Sequence, residues 1–185
     1  MELQLFGINH KTSSVSERES FIINESNQFL LDNHFKLIFG NKLKSFFCLS
    51  TCNRTEVYIY GASGILNKVF KEVFKILGQR EIPRDKFYFL DNHDALVHMC
   101  KVASGIDSQV LGEQEIFGQF KQSLKNAKNI KILKGKLQQI SNKVIEISKK
   151  ARTETDIGLN SLSINGLALK LLSNIFEHPN QQNVL

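Results

Sequence analysis

The order of apolar segments in this 185-residue chain predicts an α+β fold, an antiparallel sheet in a split βαβ arrangement with helices on one face, followed by additional helices. Three observations lead there. Short or alternating apolar runs at residues 3–8, 44–50, 55–61 and 86–90 suit strands, stretches of helical periodicity separate most of them, and only helical periodicity appears beyond residue 104.

The first strand is LQLFGI, residues 3–8, short, apolar and bounded by NHKTSS. SERE at 16–19 reads as a capping box in which Ser16 accepts from the Glu19 N–H while Glu19 reaches back. The helix it opens is expected to continue through Phe21, Ile22, Phe29 and Leu30. FFCLSTCNRTEVYIY, residues 46–60, supplies two strands broken by small polar residues, the second alternating Val57 and Ile59 against Tyr58 and Tyr60. GILNKVFKEVFKILG then places Ile65, Leu66, Val69, Phe70, Val73, Phe74 and Leu77 at helical spacing and ends at Gly78. After a loop containing Pro83, KFYFL reads as the fourth strand and DNHDALVHMCKVAS as a helix with an acidic cap. The resulting order, β-α-β-β-α-β-α, is ferredoxin-like.

Further on, Ile116, Phe120, Leu124 and Ala127 form one helical stripe. Ile132, Leu133, Leu137, Ile140, Val144, Ile147 and Ala151 form another, with lysines largely opposite. TETDIGLN interrupts at 153–160, and SLSINGLALKLLSNIF resumes a last helix. The closing HPNQQNVL hints at a new strand at Val184 and Leu185, as if the chain ran on into something longer. Residues 1–155 are expected to form one domain and 156–185 a connecting helix with the start of another.

Composition narrows the class. With 42% hydrophobic and 23% charged residues the chain has an ordinary globular balance rather than that of a disordered one. No apolar run approaches the ~20 residues that span a bilayer, and no basic-then-apolar leader opens the sequence, so a cytoplasmic protein without membrane contact is expected. Three cysteines without a C-x-x-C pair suit reduced thiols rather than disulfides or a metal site. The net charge of +6 resides in residues 101–152, which hold 11 Lys or Arg against 4 Asp or Glu, and suggests an acidic partner such as nucleic acid.

Among residues able to do chemistry, Cys52 has the intrinsic nucleophilic strength, since a thiol is partly ionised at neutral pH. Arg54 can lower its pKa or clamp a carboxylate in a fork, while Asn53 and the hydroxyls of Thr51 and Thr55 add neutral donors. A cysteine at a strand end is nevertheless more often packed than reactive, and Cys48 and Cys100 read as packed residues. His98 follows a strand and precedes the polar cluster SGIDSQVLGEQEIFGQ, whereas His10 lies in the loop after the first strand and can line the same sheet end as the turn at 51–55. Within the cluster, Glu115 and Gln119 lie one helical turn apart, beside the stripe of Ile116 and Phe120.

Five segments in order, GINHKT, STCNRTE at 50–56, VASGIDSQVLGE at 102–113, GQ at 118–119 and ARTETDIG at 151–158, together resemble the N-terminal part of the glutamyl-tRNA reductase family. The resemblance implies NADPH-dependent reduction of glutamyl-tRNA to glutamate-1-semialdehyde, at the start of five-carbon tetrapyrrole synthesis. It implies Cys52 as a nucleophile forming a glutamyl thioester, His98 as an activity-critical residue, and substrate contacts at Thr51, Asn53, Arg54, Ser108, Glu113, Gln114, Glu115 and Gln119. It implies further that residues 1–155 are the catalytic, glutamyl-tRNA-binding domain. The NADPH domain and dimerising helices would then follow, in a full-length homodimer that hands its product to glutamate-1-semialdehyde aminomutase. No G-x-G-x-x-G motif occurs in the chain, so the fragment is expected to form or hydrolyse the thioester without reducing it. Two departures stand out: Gln114-Glu115 replaces the usual Pro-Gln or Asp-Gln pair, and KTSSVS replaces a Lys-Thr-Ala-Pro run. A carboxylate at 115 would repel the substrate's carboxylate, so Glu115 should approach its amine or a ribose hydroxyl, or point away. The competing reading is a non-catalytic RNA-binding module of the same fold, stacking bases on Tyr58 and Tyr60.

Overall fold

The structure is a computed structural model, and it describes residues 1–78 and 83–158. Four strands, β1 (Glu2–Asn9), β2 (Leu43–Ser50), β3 (Arg54–Gly61) and β4 (Tyr88–Asp91), form one sheet in the order β2-β3-β1-β4, antiparallel throughout. Among the described residues six α-helices accompany them: α1 (Val15–Ser20), α2 (Glu25–Phe39), α3 (Leu66–Leu77), α4 (Asn92–Ser104), α5 (Gln114–Asn129) and α6 (Gly135–Glu154). This is the expected split βαβ order, with the central strands supplied by β1 and β3.

Strand alternation assigns the two sheet faces. Phe6, Phe46, Cys48, Val57 and Ile59 point to one face, where Phe46 meets Phe35 of α2 and Phe6 meets Phe70 of α3 edge-on. Leu5, Phe47 and Tyr58 point to the other, where Phe120 of α5 stands perpendicular to both the Phe47 and Tyr58 rings. The helices of the split βαβ therefore share one face and the additional helices seal the other. Every strand position between Phe46 and Leu49, and between Arg54 and Ile59, is buried as a result.

Several local expectations shift. The capping box is Ser14 with Glu17, not Ser16 with Glu19: the Glu17 carboxylate accepts from the Ser14 N–H at 2.7 Å, and the Ser14 hydroxyl accepts from the Glu17 N–H. Both pairs satisfy the same spacing, so sequence alone could not choose. The helix so begun ends at Phe21, which packs against Phe74 and Phe87, and Asn24 caps a separate helix with Asn27. Restarting the helix resets its phase. Leu31, Phe35 and Phe39 become the buried stripe of α2, and Ile22, Phe29 and Leu30 are exposed. Asp91 pairs with Gln4 as the last residue of β4, and its side chain caps nothing. On α6 the buried stripe is Leu137, Ser141, Val144 and Ser148, which leaves Ile147 exposed. The expected last helix and strand, residues 161 onward, lie outside the described residues.

Phe120 fixes the layer over the sheet, being fully buried between Phe47 and Tyr58. Phe120→Ala should therefore cost about 3–5 kcal/mol of stability. Denaturant unfolding should show a lowered midpoint with an unchanged slope.

Candidate active site

The break at 51–53 is a turn held by its own side chains. The Thr51 N–H donates to the Arg54 carbonyl at 2.8 Å, and the Thr51 hydroxyl accepts from the N–H groups of Asn53 and Arg54, each at 3.2 Å. The turn thus needs no glycine, because a threonine hydroxyl supplies the local acceptor. Two outside donors pin it further: Arg18 Nε to the Cys52 carbonyl at 3.2 Å, and the His10 N–H to the Asn53 carbonyl at 3.0 Å. His10 accordingly lies at the same sheet end as the turn, and burial, aided by the Arg54 charge, holds its imidazole below the usual range. Arg18 is itself buried and also donates to the Ser13 carbonyl.

Cys52 is exposed at this turn, Cys48 is sealed in the sheet and Cys100 is half-buried on α4. Burial pushes both the Cys48 and Cys100 thiols up, away from thiolate chemistry. Around Cys52 a cavity of about 20 Å³ is lined by Thr51, Asn53, Arg54, Ser108, Glu113, Glu115, Ile116 and Gln119. The two sequence segments, 50 residues apart and more, thus converge on one site. Burial, followed by the charge of Glu115, pushes the Glu113 carboxyl up. Gln114 begins α5 exposed and outside the cavity lining, and His98 is also absent from that lining.

His98 belongs instead to a buried network. Glu56, fully buried on β3, accepts at Oε1 from Arg54 Nη1 at 2.8 Å, from His98 Nε2 at 2.7 Å and from the Tyr88 hydroxyl at 2.5 Å. Its Oε2 accepts from the Tyr58 hydroxyl. Because an ionised carboxylate only accepts, Nε2 of His98 carries the hydrogen. Burial works to raise Glu56, but the His98 hydrogen bond and the Arg54 charge outweigh it and bring the carboxyl down to about 2. Burial and the Glu56 charge push the Tyr58 and Tyr88 hydroxyls up, so both stay donors.

Arg54 is 1% exposed, and its terminal N–H groups are all engaged. Nη1 serves Glu56 and Asp107 Oδ2, while Nη2 serves the Asp107 carbonyl at 2.6 Å and Oδ2 at 3.0 Å. Lys11 adds a 2.5 Å contact to the other Asp107 oxygen. The expected carboxylate clamp therefore already holds a carboxylate, that of Asp107. Burial works to raise Asp107, and Lys11 and Arg54 together hold it below the usual range. The loop carrying Asp107 and Ser108 is tied down from α6, where Arg152 donates to the carbonyls of Ser104, Gly112 and Glu113 at 3.0–3.2 Å.

Sequence reasoning missed Glu56, Asp107, Arg18 and Arg152. A charged residue inside an alternating strand was the available signal for Glu56, since such a group must find partners. Arg18 carried no signal, because an arginine on a short amphipathic helix normally faces water. Among the described residues no cluster of three or more His, Cys, Asp or Glu could hold a metal ion, and no helix is long and apolar enough to cross a membrane.

Glu56 gives the fold a defined acid limit. Its carboxyl is depressed from 4.5 to about 2, so its stabilisation is complete above about pH 4.5 and is lost as pH falls through about 2. Glu56→Gln should lower stability by about 3 kcal/mol at pH 7 and flatten the acid-induced loss, as measured by unfolding across pH 2–7. Gly7 faces Glu56 and Tyr88 across the sheet, where an added Cβ would lie 2.8 Å from Glu56 Cγ and 2.7 Å from the Tyr88 hydroxyl. Gly7→Ala should force these side chains apart and lower the melting temperature, whereas Gly118→Ala, in open space on α5, should not.

Known proteins resemble this chain along most of its length. The family model described as glutamyl-tRNAGlu reductase, N-terminal domain, matches residues 6–155. Glutamyl-tRNA reductase of Photobacterium profundum is 34% identical over all of this chain, and that of Wigglesworthia glossinidia brevipalpis 39% identical over 95% of it. This chain spans 44% and 42% of those relatives, less than half their length. The solved glutamyl-tRNA reductase from Methanopyrus kandleri superposes with a TM-score of 0.72 at 28% identity, over 93% of this chain and 39% of that one. With the family match covering most of its length and the relatives agreeing from end to end, the chain belongs to the glutamyl-tRNA reductase N-terminal domain family.

Proposed function

We propose that this chain is the glutamyl-accepting part of a glutamyl-tRNA reductase, in which Cys52 takes the glutamyl group from the tRNA. The observation that carries this reading is the cavity beside the exposed Cys52, which brings together every expected substrate residue except Gln114. The Cys52 thiolate attacks the ester carbonyl, a C–S bond forms, and the C–O bond to the tRNA ribose breaks. The departing oxygen takes a proton and leaves as the 3′-terminal hydroxyl.

The surrounding groups divide the substrate between them. Glu115, beside Glu113 in the cavity lining, offers a carboxylate that suits the substrate ammonium, which answers the repulsion problem at 115. The substrate's side-chain carboxylate takes the place of Asp107, whose Oδ2 accepts from both Nη1 and Nη2 of Arg54. The cavity, now large enough for about one water, widens as the exposed Gln119 side chain turns aside. His98 acts as a positioning residue: it holds Glu56, and Glu56 holds Arg54.

The described residues do not fit NADPH. Their sheet is antiparallel throughout, and no G-x-G-x-x-G turn leads from a strand into a helix. The chemistry assigned to this chain ends at the thioester. Reduction to glutamate-1-semialdehyde, homodimer formation and transfer to the aminomutase are proposed for the full-length protein. The non-catalytic RNA-binding alternative loses one of its two stacking residues, because Tyr58 is sealed beneath Phe120 and bonded to Glu56, out of reach of a base, while Tyr60 is half-buried.

Mass spectrometry of the chain quenched after mixing with glutamyl-tRNA should reveal a glutamyl adduct on Cys52. Cys52→Ser should lack it and release tRNA at least about a hundredfold more slowly. An adduct on Cys48 or Cys100, or equal release by Cys52→Ser, would overturn the reading.

A further inference from the structure

The cavity beside Cys52 holds a second kind of group able to exchange a proton. Of the described residues that line it, only Cys52, Glu113 and Glu115 gain or lose a proton near neutral pH; the rest offer hydroxyls, amides, a guanidinium and one isoleucine. None of them is a histidine, although an adjacent imidazole is the usual base for a thiol nucleophile. His98 is committed to Glu56, and His10 reaches the turn through its backbone N–H. A base for Cys52 must therefore be one of the two carboxylates.

Between these two, the fold favours Glu113. It immediately precedes α5 but makes no capping hydrogen bond with its side chain, which lines the cavity instead. Only 9% of the residue is exposed, whereas Glu115 lies on the exposed flank of the first helical turn. Its backbone is fixed on both sides: the Glu113 N–H donates to the Val110 carbonyl at 3.1 Å, and Arg152 of α6 donates to the Glu113 carbonyl at 3.2 Å. The charged groups facing its carboxyl are Glu115 from α5 and Arg54 from β3, and the Ser108 hydroxyl donates to it. Burial and the Glu115 charge outweigh Arg54 and Ser108, so its proton affinity rises toward that of a thiol and its carboxylate is a stronger base than an exposed one. Because the cavity admits about one water, Cys52 is within reach of Glu113 directly or through a single water.

We infer that Glu113 is the proton shuttle of thioester formation, taking the Cys52 proton and delivering it to the departing ribose oxygen. The inference rests on the reading that Cys52 receives the glutamyl group. As Sγ attacks the ester carbon, the S–H proton moves to the Glu113 carboxylate and the C–S bond forms. When the tetrahedral intermediate collapses, the C–O bond breaks and the same proton passes from Glu113 to the 3′ oxygen. Glu113 is then a carboxylate again, so the cycle draws no acid or base from outside. This division leaves Glu115 for the substrate ammonium.

The test is single-turnover formation of the Cys52 adduct by the 185-residue chain, followed from pH 5 to 8.5. With saturating glutamyl-tRNA at pH 7, Glu113→Gln should form the adduct about a hundredfold more slowly, while its affinity for the tRNA stays within about twofold. The parent's rate should fall toward acid through a group titrating above the usual carboxylate range; Glu56, at about 2, lies too low to cause this. In Glu113→Gln that limb should give way to a rate rising about tenfold per pH unit, as unassisted thiolate becomes the nucleophile. Glu115→Gln should keep the parent's limb and bind substrate more weakly. The 4-nitrophenyl ester of glutamate shows whether the variant site is intact, because nitrophenolate departs without a proton. At pH 8.5, where about half of an ordinary thiol ionises unaided, Glu113→Gln should be acylated by it within about fivefold of the parent. A deficit confined to binding, or an equal deficit on both esters, would overturn the shuttle. If the parent forms the adduct and Glu113→Gln matches its rate and pH profile, the shuttle alone fails. If the parent forms no adduct, the thioester reading falls and the shuttle with it.

Discussion

A buried carboxylate, Glu56, organises this domain. A charge with no solvent must find its donors inside, and Glu56 finds four, from β3 itself, β4 and α4. Each donor fixes something distant. Tyr88 sets the place of the edge strand β4 and His98 the docking of α4. Arg54 carries the constraint outward to the turn that presents Cys52. Opposite Glu56, β1 has room for no side chain, which is why the motif after its start reads Phe-Gly-Ile.

Arg54 is the hinge between stability and site. Burial disfavours its charge and the Glu56 carboxylate more than restores it, so the guanidinium stays an obligate cation at the base of the cavity. A second carboxylate, Asp107, completes its coordination and draws the Gly105–Gly112 loop against the turn. The loop is held from the other side by Arg152, and an added Cβ on Gly112, at φ 78°, would collide with the Ile157 carbonyl at 2.1 Å. The chain just past α6 therefore packs directly on the loop that carries Ser108 and Glu113. A shift there would be felt at the cavity through few intermediate atoms.

Most of the site was legible because its residue types are poor choices for anything else. A cysteine, an amide and two threonines make an unusual turn, and the polar run at 104–119 is an unusual way to start an apolar-striped helix. The order of strands and helices was legible from periodicity, since a two-residue and a 3.6-residue repeat cannot be confused over such lengths. Helix starts were less so: Ser14 and Ser16 offer the same spacing to a glutamate, and only the folded structure shows that Ser14 takes the cap. His98 stood out in the sequence as a candidate but not as a partner of Glu56, because the pair lies 42 residues apart in sequence.

The sequence by itself determined the strand and helix order, the placement of Cys52 at a strand break and the concentration of positive charge in residues 101–152. These are local properties, carried by side-chain alternation, turn chemistry and composition. Only the tertiary structure decided which cysteine is exposed, that Arg54 is already bound to a carboxylate, that His98 is hydrogen-bonded to Glu56, and that the lysines of α5 share a helix with the cavity. Those depend on which faces of the sheet are covered and on how buried charges find partners across the chain. Burial and charge pairing are settled by the whole set of contacts at once, and no short stretch of sequence contains them.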